Sequence, residues 1–220
     1  MRKLFILLAV MVGFLPAHSQ SRPVNAVWQQ GSLVLNNGLE LNGAVCYDPV
    51  TEVVQFRTAT MVKAFTARQV RSFRYLEPAF GMIREFASQD FNPRSSYPRQ
   101  TFFEVVLRGP LTLLRRHNRF REFIRATEQQ VSGRPGFFDY VTGFTYYVRT
   151  EGRFLGIKQF KKEILPLMTK DCSQEIHQMI EKRKLKLFQL DNQVWLINYY
   201  NFLKGPLNQP ADEYKVALTR

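Results

Sequence analysis

Between positions 108 and 134 the chain places seven arginines, Arg108, Arg115, Arg116, Arg119, Arg121, Arg125 and Arg134, against only two acids, Glu122 and Glu128. A guanidinium is a planar fork of donors that holds a phosphate or carboxylate through two parallel hydrogen bonds. Phe120, Phe123, Phe137 and Phe138 flank the segment and set apolar surface beside the charge. The chemistry this implies is capture of an anionic polymer, a headgroup or an acidic protein surface. The same charges, simply solvated, would do no more than keep the chain soluble. Two smaller basic groups follow, Lys158 with Lys161 and Lys162, then Lys182-Arg183-Lys184 with Lys186.

Residue types suited to covalent or acid/base catalysis are sparse. Apart from His18, the histidines are His117 and His177. His177 lies five positions after Cys172, about 140° around a helix, so the two would not share a face. His117 follows Arg115 and Arg116 at a strand end, with no carboxylate close in sequence to orient it as a base. There is no glycine-rich phosphate loop, no Gly-x-Ser-x-Gly turn and no metal-spaced cluster, and no cofactor is expected. Glu104, between Phe103 and Val105, reads as a residue of an exposed strand face, as do Glu40 and Glu52 near the first turns. Nothing in their spacing fixes the separation that a hydrolytic acid pair requires. Cys46 and Cys172 are the only cysteines. Paired, they would close a long loop and contribute about 4–5 kcal/mol; unpaired, each behaves as a small hydrophobe.

The elements that must position these residues start after an N-terminal segment of a different kind. Arg2 and Lys3 precede an apolar run over residues 4–15, and Pro16 breaks it ahead of Ala17, His18 and Ser19. This is the pattern of a secretory signal peptide over residues 1–19, cut after Ser19. The run is shorter than the roughly 20 apolar residues that span a bilayer. Removing it takes Arg2 and Lys3 from the chain's net +13 and leaves +11. A hydrophobic fraction of 45% with 22% charged residues belongs to a globular chain, not a disordered one. The expected product is exported, periplasmic, outer-envelope associated or secreted. Export replaces nucleic acid, the usual partner of a basic chain, with an envelope protein, an anionic glycan or a lipid headgroup.

The fold expected is α+β. Residues 28–77 read as an antiparallel β meander or small barrel-like sheet, with Asn36-Asn37-Gly38 as its first hairpin turn, both central residues at positive φ. Residues 78–100 carry three prolines, Pro78, Pro93 and Pro98, and read as a loop-rich connection, in which 79–87 could add a strand. Residues 101–157 continue as hairpins, 101–107 with 111–116 and 144–149 with 154–157, around the arginine-rich excursion. Residues 158–205 change to helical spacing and predict a cap of about three helices: one ended or kinked by Pro166, one capped by Asp171, and one over 192–203 capped by Asp191. Residues 206–220 form a tail, and 28–205 one composite domain.

The runs Gly31-Ser-Leu-Val-Leu-Asn-Asn-Gly38, Leu41-Asn-Gly-Ala-Val-Cys-Tyr-Asp48 and Phe65-Thr-Ala-Arg-Gln-Val-Arg-Ser-Phe73 are similar to the opening of uncharacterised exported proteins common in Bacteroidota. The likeness extends through residues 102–116 and Asn198-Tyr-Tyr-Asn201, and so over most of the chain. It implies export and a β-first layout, and it implies no activity. Two functions of different class follow from the sequence. One is a non-catalytic binding or assembly module of the envelope with a basic surface. The other is a hydrolase or other enzyme acting on an envelope polymer through acids that no motif singles out.

Overall fold

Short alternating segments separated by turn residues fold as expected into antiparallel strands. The computed structural model describes residues 27–78, 81–91, 99–117 and 143–205. The expected signal peptide, most of the arginine-rich excursion and the tail lie outside the described residues. Ten strands form one sheet: β1 (Gln29–Leu35), β2 (Glu40–Asp48), β3 (Val53–Arg57), β4 (Val62–Thr66), β5 (Val70–Glu77), β6 (Met82–Asp90), β7 (Gln100–Leu107), β8 (Thr112–His117), β9 (Phe144–Thr150) and β10 (Arg153–Gly156). Their order is β10-β9-β8-β7-β6-β5-β1-β2-β3-β4, with every neighbouring pair antiparallel.

Two turns show how local sequence sets pairing. Leu35 N donates to Leu39 O at 2.9 Å and Gly38 N to Leu35 O at 3.0 Å, so the first hairpin closes over three residues. Only Gly38 takes a positive φ, 89°, which corrects the expectation of two such residues. The extra residue lets an ordinary turn at Asn36-Asn37 finish in a left-handed glycine. The tight form occurs instead between β9 and β10, where Glu151 (φ 47°) and Gly152 (φ 77°) are both left-handed.

The sheet curls but stays open, so the barrel-like closure expected for the N-terminal strands is not formed. β4 and β10 are its two edges. Curling is visible in the β2–β3 turn, where the Glu52 carboxylate reaches Thr101 at the start of β7 and Arg116 near the end of β8. Leu33, Val45, Val54, Phe56, Phe73, Phe86 and Phe102 fill the concavity as one apolar cluster. Phe73 and Phe86 stack with centroids 4.6 Å apart, and Tyr47 packs on both. The region expected to be a loop-rich connection contributes β6, a nine-residue strand.

A second apolar cluster joins the other half of the sheet to the helices. Leu113, Tyr146 and Val148 pack against Phe160, Ile164, Met168, Ile176, Leu196 and Ile197. The helical layer has two α-helices where about three were expected: α1 (Leu165–Arg183) and α2 (Leu190–Lys204). They are preceded by a 3-10 turn (Ile157–Gln159) and a π-turn (Phe160–Ile164). Pro166 falls in the first turn of α1, where a missing N–H is harmless, so it opens this helix and does not end another. The backbone breaks at Cys172 (φ −135°, ψ 50°), beside the expected start at Asp171. Asp171 caps nothing there; its carboxylate accepts from the Tyr200 hydroxyl at 3.1 Å and pairs with Lys204 at 3.3 Å, tying α1 to α2.

Candidate functional site

Directly paired residues on neighbouring strands share a face, and one such rung crosses six strands. Leu33, Phe73, Phe86, Glu104, Arg115 and Tyr146 stand opposite one another in turn on β1, β5, β6, β7, β8 and β9. Leu33, Phe73 and Phe86 belong to the first apolar cluster and Tyr146 to the second. Between them lies a charged seam. Arg115 donates to Glu104 through Nε at 2.7 Å and Nη2 at 2.8 Å. Arg84 reaches the same carboxylate from β6 through Nε at 3.0 Å and Nη2 at 2.6 Å. Glu77 stands 3.7 Å from Arg84 and brings a second negative charge to the group. The Arg115 guanidinium also lies 4.4 Å from the Phe144 ring centre.

Glu104 is therefore not on an exposed face; its side chain is 4% exposed. Burial alone would raise its pKa, but the hydrogen bonds from Arg84 and Arg115 hold the carboxyl below its ordinary value. The group stays ionised and is no proton donor near neutrality. Its partners are correspondingly raised against the effect of burial, Arg84 and Arg115 each through the bond to Glu104. Tyr75, above Arg84, is pushed up to about 12 mainly by burial.

A second acid is also buried. Glu52, at φ 57°, accepts from the Thr101 hydroxyl and from Arg116 Nη2 at 2.6 Å, with Arg99 at 3.5 Å. Arg108 pairs with Glu85 on β6. Of the seven arginines expected to form an anion site, the three described ones thus serve internal carboxylates. Arg115 is 5% exposed and Arg116 25%, while Arg108 remains 60% exposed. Arg119, Arg121, Arg125 and Arg134 lie outside the described residues. Glu40 is exposed as expected.

The other chemical candidates stay apart. Cys46 and Cys172 are free thiols in this structure, Cys46 in β2 and Cys172 at the break in α1. His177 donates from Nδ1 to the Ser173 carbonyl at 2.7 Å on an exposed helix face. His117 packs on Phe144 with ring centres 4.8 Å apart. Among the described residues no three His, Cys, Asp or Glu side chains come together in a metal-sized group.

One structural residue was hidden in the sequence. Asn201, on α2 and 6% exposed, accepts from Leu111 N at 3.0 Å and donates to Leu111 O at 2.8 Å and Arg108 O at 3.3 Å. Its amide acts as a surrogate strand that fixes the β7–β8 turn against the helices. Gly109 in that turn is at φ 144°, and a Cβ there would come within 2.5 Å of the Asn201 side chain. The signal for it was an asparagine set among Tyr199, Tyr200, Phe202 and Leu203.

The lysines of the helical side behave differently from Arg84, Arg115 and Arg116. Lys158, Lys161, Lys162, Lys182, Lys184 and Lys186 are all exposed on the helical side, and none makes an ion pair among the described residues. Among these residues no helix is long and apolar enough to cross a membrane. No protein-family model, curated protein or solved structure matches the chain.

Proposed function

We propose that this protein is an exported, non-catalytic binding or assembly module of the cell envelope, which offers a basic surface to an acidic envelope protein, an anionic glycan or a lipid headgroup. One observation carries the reading. The buried carboxylates Glu104 and Glu52 are both occupied by arginines, whereas Lys158, Lys161, Lys162, Lys182, Lys184 and Lys186 of the helical layer are left to solvent. Acids held ionised by guanidinium groups are poorly suited to proton transfer, and unpaired exposed cations suit recognition of an anion. The signal-like residues 1–19 and the resemblance to exported Bacteroidota proteins support export. Arg119, Arg121, Arg125 and Arg134 add to the chain's basic charge in this reading. Affinity capture from a solubilised envelope fraction tests it. A partner retained at low salt, released at high salt and displaced by added polyanion is expected; retention indifferent to both would overturn the reading.

A further inference from the structure

We propose that the corner where α1 turns into α2 docks the protein onto a bilayer surface bearing anionic headgroups. Such docking rests on the binding role proposed above and narrows its partner to a lipid surface. Lys182, Arg183, Lys184 and Lys186 put four cations into five positions, and the stretch from Glu181 to Asp191 keeps a net +2. The chain reverses at Lys184, whose φ of 51° ends α1. Phe188, in the connecting turn, is 75% exposed. On α2, Trp195, Tyr199 and Phe202 follow at i, i+4 and i+7, one helix face. Trp195 and Tyr199 stack with centroids 5.6 Å apart, and Phe202 is 80% exposed. The Arg183 guanidinium sits 4.4 Å from the Trp195 ring centre, which joins the basic group to the aromatic one.

The combination selects the occupant. Two phenylalanines standing largely in water, 75% and 80% exposed, gain by entering an apolar phase. Indole and phenol rings are at home at headgroup depth. Lysines with no ion pair among the described residues extend their charge to lipid phosphates while their stems stay in apolar surroundings. Phe188 stands in the turn itself, and Phe202 follows about three helical turns along α2 on the face of Trp195. A helical corner that lies on a membrane needs no spanning segment.

Vesicle binding tests this with residues 20–220, which contain every described element and omit the apolar run at 4–15. The vesicles are phosphatidylcholine with or without phosphatidylglycerol. Retention on the anionic vesicles alone is expected, falling on the order of 100-fold for Lys182→Gln, Lys184→Gln and Lys186→Gln together. Phe188→Ala with Phe202→Ala is expected to cost at least about tenfold at unchanged melting temperature. Independently of these variants, Trp28→Phe leaves Trp195 as the sole tryptophan. Its fluorescence should be quenched by lipids brominated on the acyl chains. Absent binding, equal binding to neutral vesicles, an unquenched Trp195, or binding that survives both sets of substitutions would overturn the proposal. Loss on Arg119→Gln, Arg121→Gln and Arg125→Gln with no loss in the lysine variant would also overturn it, by moving the lipid contact to the arginine segment.

Discussion

At the scale of single residues, the decisive group is Glu104. Removing one partner of a buried ion pair leaves an uncompensated charge and costs about 3–5 kcal/mol. Glu104→Gln should lose that much at neutral pH, read from urea unfolding, because two guanidinium groups would share one neutral amide. The pH dependence has a definite sign. A carboxyl whose pKa is lowered in the folded state from an ordinary 4.5 adds stability above that value and loses it as pH falls further. Wild type and Glu104→Gln should therefore converge below about pH 4.5. A stability difference that persists unchanged in acid would contradict this. Asn201→Leu should cost about 2–4 kcal/mol, since it leaves buried backbone groups of Leu111 and Arg108 unsatisfied. Faster hydrogen exchange at the Leu111 amide would locate the effect. Glu104 was misread as a wet-face residue because strand alternation was assumed. The run Phe102-Phe103-Glu104-Val105-Val106 has no alternation, which is the mark of a strand covered on both faces. Phe103 indeed packs on Phe91, Tyr147 and Phe154, opposite the side that holds Phe102. An acid inside such a run requires a cation, and Arg84 and Arg115 supply it.

Among elements, the strands were the most legible, because turn residues bracket them and their apolar positions recur with period two. β6 was obscured because Arg84 and Glu85 lie within it, and their partners on β7 and the β7–β8 turn are distant in sequence. The helices were legible in period but not in their ends. Proline was read as a stop although it is equally suited to a first turn. Capping by Asp171 was inferred from its type, yet tertiary contacts with Tyr200 and Lys204 claim the carboxylate. Those contacts are felt by Tyr200, which burial and then the bond to Asp171 push up to about 12. The end of α1 offers an element-scale prediction. Lys184 N donates to Glu181 O at 3.1 Å and Leu185 N to Ile180 O at 3.0 Å, a closing turn that favours glycine at its left-handed residue. Lys184→Gly should raise stability by about 0.5–1 kcal/mol, measured as a higher melting temperature. A lower one would mean that the lysine side chain stabilises the turn.

Across the whole molecule, a curled sheet carries one apolar cluster in its concavity and shares a second with the helices, and the Glu104 rung joins them. Trp28 reports on the sheet side and Trp195 on the helical side, so the single-tryptophan variants should unfold at one common midpoint if the rung couples the two clusters. Separate midpoints would show two independent units. The charge distribution is uneven as well, with Arg84, Arg115 and Arg116 held on buried carboxylates of the sheet and Lys158, Lys161, Lys162, Lys182, Lys184 and Lys186 facing solvent on the helical side. The net +11 that follows removal of the signal-like segment is thus no uniform coat in the proposed binding role. Salt-dependent elution from an immobilised polyanion compares two triple reversals of equal charge. One is Arg119→Glu with Arg121→Glu and Arg125→Glu; the other is Lys63→Glu with Arg68→Glu and Arg71→Glu, three exposed cations on the β4–β5 hairpin. A localised basic binding surface predicts that the first elutes at clearly lower salt than the second; equal elution of the two would contradict it.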